Sequence, residues 1–365
     1  MPSRLRHRTA LTLAFSALLA PWPSLMRAAG AQSDPPSEAT PPSAGPPESA
    51  GTYRAPEGSF DPDPQREQAL LALASNHAST PAQAETVLTG LALVRQQHPA
   101  AYLLLTRVAT SPAAADLSHV TAYWWTQVTT ATPDRLTRAL ATLYHEYIHV
   151  GTRSGNNIPD VREPIRIPGT HWYATDGAWL GVYGGGFDEW FPTPELQADI
   201  PEMQDFDRTY LALPPDTGNN LHTVLDELNA YTRDAELQMA LFSVLPHGPT
   251  RARYAILRQL YHLELYLARL QNHYPAQWNR LLRYRDLTYL IKGLWDRAWD
   301  RVRELDGNPL RSPVTTESVR AEADTLAGAH AAIALFSATG LEAPASLDLA
   351  ATALRERGIR VVSYI

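Results

Sequence analysis

Apolar residues recur at helical spacing over much of this chain, and where that spacing lapses, prolines, glycines and aromatics take over. Leu and Ala at three- and four-residue intervals predict short helices around 65–77 and 81–97. Residues 101–110 are mostly apolar and ambiguous between helix and strand. The run Val-Thr-Ala-Tyr-Trp-Trp-Thr-Gln-Val-Thr-Thr at 120–130 is β-branched and aromatic, a composition that predicts a strand. Leu136, Ala139, Leu140, Leu143, Tyr147 and Val150 then form an apolar stripe along a predicted helix. Thr132 is its N-cap, Pro133 takes the first helical position, and Gly155 and Pro159 lie where it should end.

From 155 to 218 the periodicity is lost. Gly181, Gly184, Gly185 and Gly186, many prolines and the aromatics Trp172, Tyr173, Trp179, Tyr183, Trp190 and Phe191 predict short strands and long loops, which form either substrate walls or a second small core. Helical spacing resumes at Asn220, with Leu221, Val224, Leu225, Leu228 and Tyr231 marking one helix. A long pair, 251–273 and 277–305, is separated by Pro275, and one further helix at 316–339 is ended by Gly340. A short helix from Ala345 and a final strand at 359–365 complete the pattern. The fold class this describes is α+β and predominantly helical, with a small sheet before the 133–154 helix and a helical C-terminal part.

The N-terminal end reads differently. Residues 1–8 are basic, 9–20 are apolar, and Ala29-Gly30-Ala31 has the small residues of a signal-peptidase site, so 1–31 is expected to be a cleaved export signal. The apolar run is broken by Pro21 and Pro23 and is short of the roughly 20 residues a membrane span needs, so no integral span is expected after cleavage. Residues 32–64 are rich in Pro, Ser, Ala and Gly and are expected to be a disordered tether. The remainder, 65–365, divides into a sheet and metal-helix part at 65–218 and a helical part at 219–365.

Composition narrows the chemistry. The chain has no cysteine, which excludes disulfides, thiolate metal ligands and cysteine nucleophiles together. Residues 1–31 carry four arginines and no acid, so their removal takes the formal charge from −7 to −11, which argues against a nucleic-acid partner. Any transition-metal site must therefore be built from His, Asp and Glu.

Such a set is present in the predicted 133–154 helix. His145-Glu146-Tyr147-Ile148-His149 is a His-Glu-x-x-His pattern. Imidazoles four residues apart project from one helix face about a turn from each other, close enough to share one cation. A carboxylate beside the first histidine can reach a water at the open coordination position as general base. A catalytic zinc takes three protein ligands and a water, so one ligand has still to be found. A histidine six residues after the second would supply it in one known arrangement, but that position is Gly155, and Thr152 stands where the same arrangement has glycine. The stronger candidate is Glu227, on the predicted helix from Asn220 and on the side away from Val224, Leu225 and Leu228, with small Ala230 allowing two helices to approach closely. His171, Asp176, Asp188, Glu189 and His222 are its rivals.

With these residues in hand, the chain resembles the zincin metallopeptidases of the gluzincin type, in which a glutamate on a second helix is the third zinc ligand. Many of those carry Glu-x-x-Ala-Asp, and Glu227-Leu228-Asn229-Ala230 matches its first four positions, whereas Tyr231 departs from the fifth. In such families that aspartate supports a zinc-bound histidine, a role that here passes to Asp234 or Asp226. The resemblance covers two patches amounting to roughly 30 residues.

It implies a secreted, Zn2+-dependent peptidase acting on a peptide or protein substrate. His145, His149 and Glu227 would hold the metal, Glu146 would be the base, and His171 or Tyr231 would donate a hydrogen bond to the developing oxyanion. The 120–130 segment would be the edge strand pairing with an extended substrate. The alternatives are an exported zinc-binding protein without turnover, and a hydrolase of a non-peptide amide such as a cell-wall crosslink.

Overall fold

The computed structural model describes residues 53–54, 63–111, 114–115, 118–154, 170–174, 179–186, 189–212, 219–245, 250–306, 308 and 315–341. It is predominantly helical with one small sheet. The signal, most of the tether, and the helix and strand expected after Ala345 lie outside the described residues.

Five helices form the first half: α1 (Pro64–Asn76), α2 (Pro81–Gln97), α3 (Pro99–Ala109), α4 (Ser118–Thr129) and α5 (Pro133–Ser154). The first three each begin on a proline, which loses no backbone bond at that position and is preset for helix, after a side chain that caps the free N–H groups. Asp63 accepts from Gln65 and Arg66, Thr80 from Gln83, and His98 from Ala101.

The strand expected at 120–130 is instead helix α4. Thr121, Trp124, Trp125, Val128 and Thr129 are buried, and their spacing of three and four residues belongs to a helix face. Trp125 donates from Nε1 to the Tyr147 hydroxyl on α5 at 2.8 Å. The threonines that suggested a strand bond back into their own helix, Thr126 to the Ala122 carbonyl at 2.9 Å and Thr129 to the Thr126 carbonyl at 3.1 Å. Packing of two tryptophans against α5 thus outweighs β-branched composition, and no edge strand for substrate exists at this place. The ambiguous 101–110 segment is helix α3.

The sheet is antiparallel, in the order β1-β3-β2, with β1 (Tyr53–Arg54), β2 (Thr170–Ala174) and β3 (Trp179–Tyr183). In it His171 is paired with Val182 and Tyr53 with Gly181, so part of the expected tether forms the outer strand. A 3-10 helix (Thr193–Asp199) and α6 (Asp205–Leu211) follow. The rest is α7 (Leu221–Leu241), α8 (Ala252–His273), α9 (Pro275–Arg283), α10 (Arg285–Asp306), α11 (Thr316–Gly328) and α12 (His330–Ala338). The segments read as single helices at 277–305 and 316–339 are each broken, at Tyr284 and at Ala329.

Two apolar cores share α7. Leu221, Val224, Leu225 and Leu228 pack into one with α8, α10 and α12, while Ala230, Leu237 and Leu241 enter the other with α1 to α5. α7 therefore runs between the halves and lies against α5. Asn229 and Arg233 both donate to the Ala174 carbonyl, at 3.3 and 3.4 Å, and tie α7 to the end of β2.

Candidate metal centre

Where α5 meets α7, His145, His149 and Glu227 come together. All three are buried, and one donor atom from each lies within 4.8 Å of the others. The two Nε2 atoms face one another at 3.0 Å, and Glu227 Oε2 stands 3.8 Å from His145 Nε2 and 3.6 Å from His149 Nε2. Among the described residues this is the one group of histidines and acids arranged to hold a metal ion.

Each ring is fixed from behind. His149 Nδ1 lies 2.7 Å from Asp226 Oδ2, so Nδ1–H donates to that carboxylate and Nε2 is the nitrogen turned towards His145 and Glu227. The His145 ring is hydrogen-bonded to the backbone of Ala230, the small residue at the helix crossing. Burial pulls His145 well below the ordinary imidazole range, as does the charge of His149, with the Ala230 bond opposing both. Burial acts on His149 in the same direction, but the Asp226 and Glu227 carboxylates outweigh it and push that ring up to about 10.

These residues fit a metal. Glu227 Oε2 is buried and has no hydrogen-bond partner, a costly condition for a carboxylate oxygen unless a cation completes it. Two buried carboxylates face two imidazoles, so a divalent ion would balance the local charge. Two nitrogens and one oxygen suit a borderline transition metal better than calcium or magnesium, which prefer oxygen alone.

Around the group stand Glu146, Tyr231 and Tyr210. All three are half-buried, so this side of the site reaches the surface. Tyr231 lies one turn after Glu227 on α7, and its ring meets that of His145 edge-on at a centroid distance of 4.6 Å. Its hydroxyl is hydrogen-bonded to that of Tyr210 on α6. Burial and nearby carboxylates, Glu227 and Glu146 among them, raise both phenols far above their usual range, so both keep their protons at neutral pH.

The other candidates are placed elsewhere. His171 and His222 stack with centroids 3.4 Å apart, and their Nε2 atoms approach the carbonyls of Gly185 and Gly184 at 3.0 and 3.2 Å. Tyr173 joins this second cluster through a 3.1 Å contact between its hydroxyl and His222 Nδ1. Glu189 pairs with Arg280 and with the Tyr284 hydroxyl. Asp176 and Asp188 lie outside the described residues. Of the two aspartates considered as support for a histidine, Asp226 takes that position; Asp234 accepts from Gln238 at 2.7 Å. Tyr210 was not singled out from the sequence, because it lies outside both motif patches and reaches Tyr231 only through the placement of α6.

No family model, no curated protein and no solved structure matches the chain.

Proposed function

We propose that this chain is an exported, zinc-dependent hydrolase of the gluzincin type that cleaves peptide bonds. The observation that carries the reading is the buried Oε2 of Glu227, which lies beyond hydrogen-bond distance of any donor yet faces the Nε2 atoms of both histidines of the His-Glu-x-x-His helix. Export rests on the basic, apolar and small-residue order of residues 1–31. No helix among the described residues is long and apolar enough to cross a membrane.

A zinc ion held by His145, His149 and Glu227 would lower the pKa of a water towards about 7 and polarise a carbonyl. Glu146, beside His145 and half-buried, takes a proton from the attacking water and delivers it to the leaving amine as the C–N bond breaks. Asp226 holds His149 with its Nδ1–H directed away from the centre. Tyr231 is the better placed of the two donors considered for the oxyanion, since its ring touches His145 while His171 is engaged with His222 and Gly185.

One observation favours a second reading, a zinc-binding protein without turnover: His145, His149 and Glu227 are 7%, 2% and 4% exposed. Metal analysis of the purified protein, with a chelator-sensitive assay on a mixed peptide library, separates the two. The hydrolase reading expects stoichiometric zinc together with cleavage that chelation abolishes and zinc restores. Stoichiometric zinc with no cleavage across the library would support the binding reading, and absence of zinc would remove both.

A further inference from the structure

A tyrosine at the fifth position of Glu-x-x-Ala-Tyr acquires a use once its partner is considered. Tyr231 is carried on the same helix as Glu227 and rests against the His145 ring, so its position relative to the metal group is set by α7. Its hydroxyl meets that of Tyr210, which arrives from α6. Phe206, also on α6, packs on both phenols at centroid distances of 4.7 and 5.7 Å.

α6 is anchored firmly for a helix of seven residues. Asp207 accepts from Arg258 Nε and Nη2 at 3.0 and 2.6 Å and from His262 at 2.8 Å, all inside the core. Its second oxygen accepts from the Gln204 backbone at 2.7 Å, closing the N-terminus of the helix. Tyr254 donates to the Gln204 side chain from below. A short helix held on several sides presents one phenol to a metal site with little freedom.

Counting hydrogens gives the consequence. Two phenols carry two O–H hydrogens, and the bond between them uses one. The other has no acceptor among the described residues. Were a ligand oxygen held at the metal group, Tyr231, whose ring rests on His145, would be the phenol to offer it that hydrogen while accepting from Tyr210.

We propose that Tyr210 is a positioning residue of this site: it donates to the Tyr231 hydroxyl and thereby turns the Tyr231 O–H towards the oxygen of a ligand bound at the metal. This rests on the metal-centre reading above and adds a residue that no motif contains.

The test uses the full mature chain loaded with Co2+, and acetohydroxamate as an oxygen-donor probe followed by the visible spectrum. Tyr210→Phe keeps the ring packed on Phe206, so metal content and melting temperature should stay at wild-type values. Acetohydroxamate affinity should fall about tenfold in Tyr210→Phe and by at least as much in Tyr231→Phe. The double variant should be no weaker than Tyr231→Phe alone, because one hydrogen-bonded pair cannot be lost twice. On a cleaved peptide, where one exists, the loss should appear in kcat with KM little changed.

Unaltered hydroxamate binding in Tyr210→Phe, or independent additive losses in the double variant, would overturn the proposal. So would failure of the metal-loaded wild type to bind the probe at all. A protein that takes metal and hydroxamate in the expected pattern yet cleaves no peptide removes only the peptidase reading. A protein that takes no metal removes both.

Discussion

His149 Nδ1 lies 2.7 Å from Asp226 Oδ2, while the next residue along the same helix, Glu227, faces His149 Nε2. Adjacent residues on a helix point about 100° apart, so α7 reaches both sides of one imidazole with two neighbouring carboxylates. One orients the ring, and the other is placed to share a metal ion with it. Asp226→Asn should therefore keep the fold and weaken zinc affinity by about 10- to 100-fold. Competition against a calibrated chelator, with circular dichroism as the control on folding, measures this.

Glu146 is half-buried beside His145 and is not needed to complete the metal group. Glu146→Gln should keep zinc at wild-type stoichiometry and lower kcat by about 10²- to 10⁴-fold on any peptide the parent cleaves. Retained turnover in this variant would remove Glu146 as the base.

Asp207 couples stability to pH. Burial alone would raise its pKa, but the His262 and Arg258 bonds outweigh that and hold the carboxyl at about 2. The unfolded chain titrates near the ordinary value of about 3.9. A depressed carboxyl stabilises the fold fully above that value and loses its contribution as pH falls from about 4 to about 2, a change of about 2 kcal/mol. Urea unfolding of the wild type should weaken across this window. Asp207→Asn should be less stable at pH 6, since buried Arg258 loses one of its two carboxylate partners and keeps only Asp324, and should show a flatter profile between pH 4 and 2.

Two glycines should respond in opposite directions. A methyl group on Gly184 would stand 2.3 Å from His222 Cε1, in a cluster where His222 is already stacked on His171. Gly184→Ala should destabilise by about 1 to 3 kcal/mol. Gly293, exposed within α10, has nothing within 4 Å of its added methyl. Gly293→Ala should stabilise by up to about 1 kcal/mol through helix propensity. Thermal melts of the two variants beside the parent check both signs.

Much of the architecture is legible in local pattern because it is locally caused. Pro133 and the apolar stripe from Leu136 to Val150 define α5, and the spacing of His145 and His149 follows from helix geometry alone. Asn220 marks the start of α7 by capping it, accepting from the His222 backbone at 2.9 Å. The error at α4 has the same origin: threonine and tryptophan content suggested a strand, while the burial of Trp124, Trp125 and Val128 against α5, a contact between distant segments, made it a helix.

By itself, then, the amino-acid sequence determined the pair of imidazoles, the carboxylate next to them and the helices that carry them, since each depends on neighbours within a turn or two. Tertiary structure decided that Glu227 faces that pair, that Asp226 rather than Asp234 holds His149, and that Tyr210 meets Tyr231. The physical reason is distance along the chain. Asp226 is 77 residues from His149, and Tyr210 is 21 from Tyr231 and on another helix. No periodicity within one element records such meetings; they follow from how α5, α6 and α7 pack around the two shared cores.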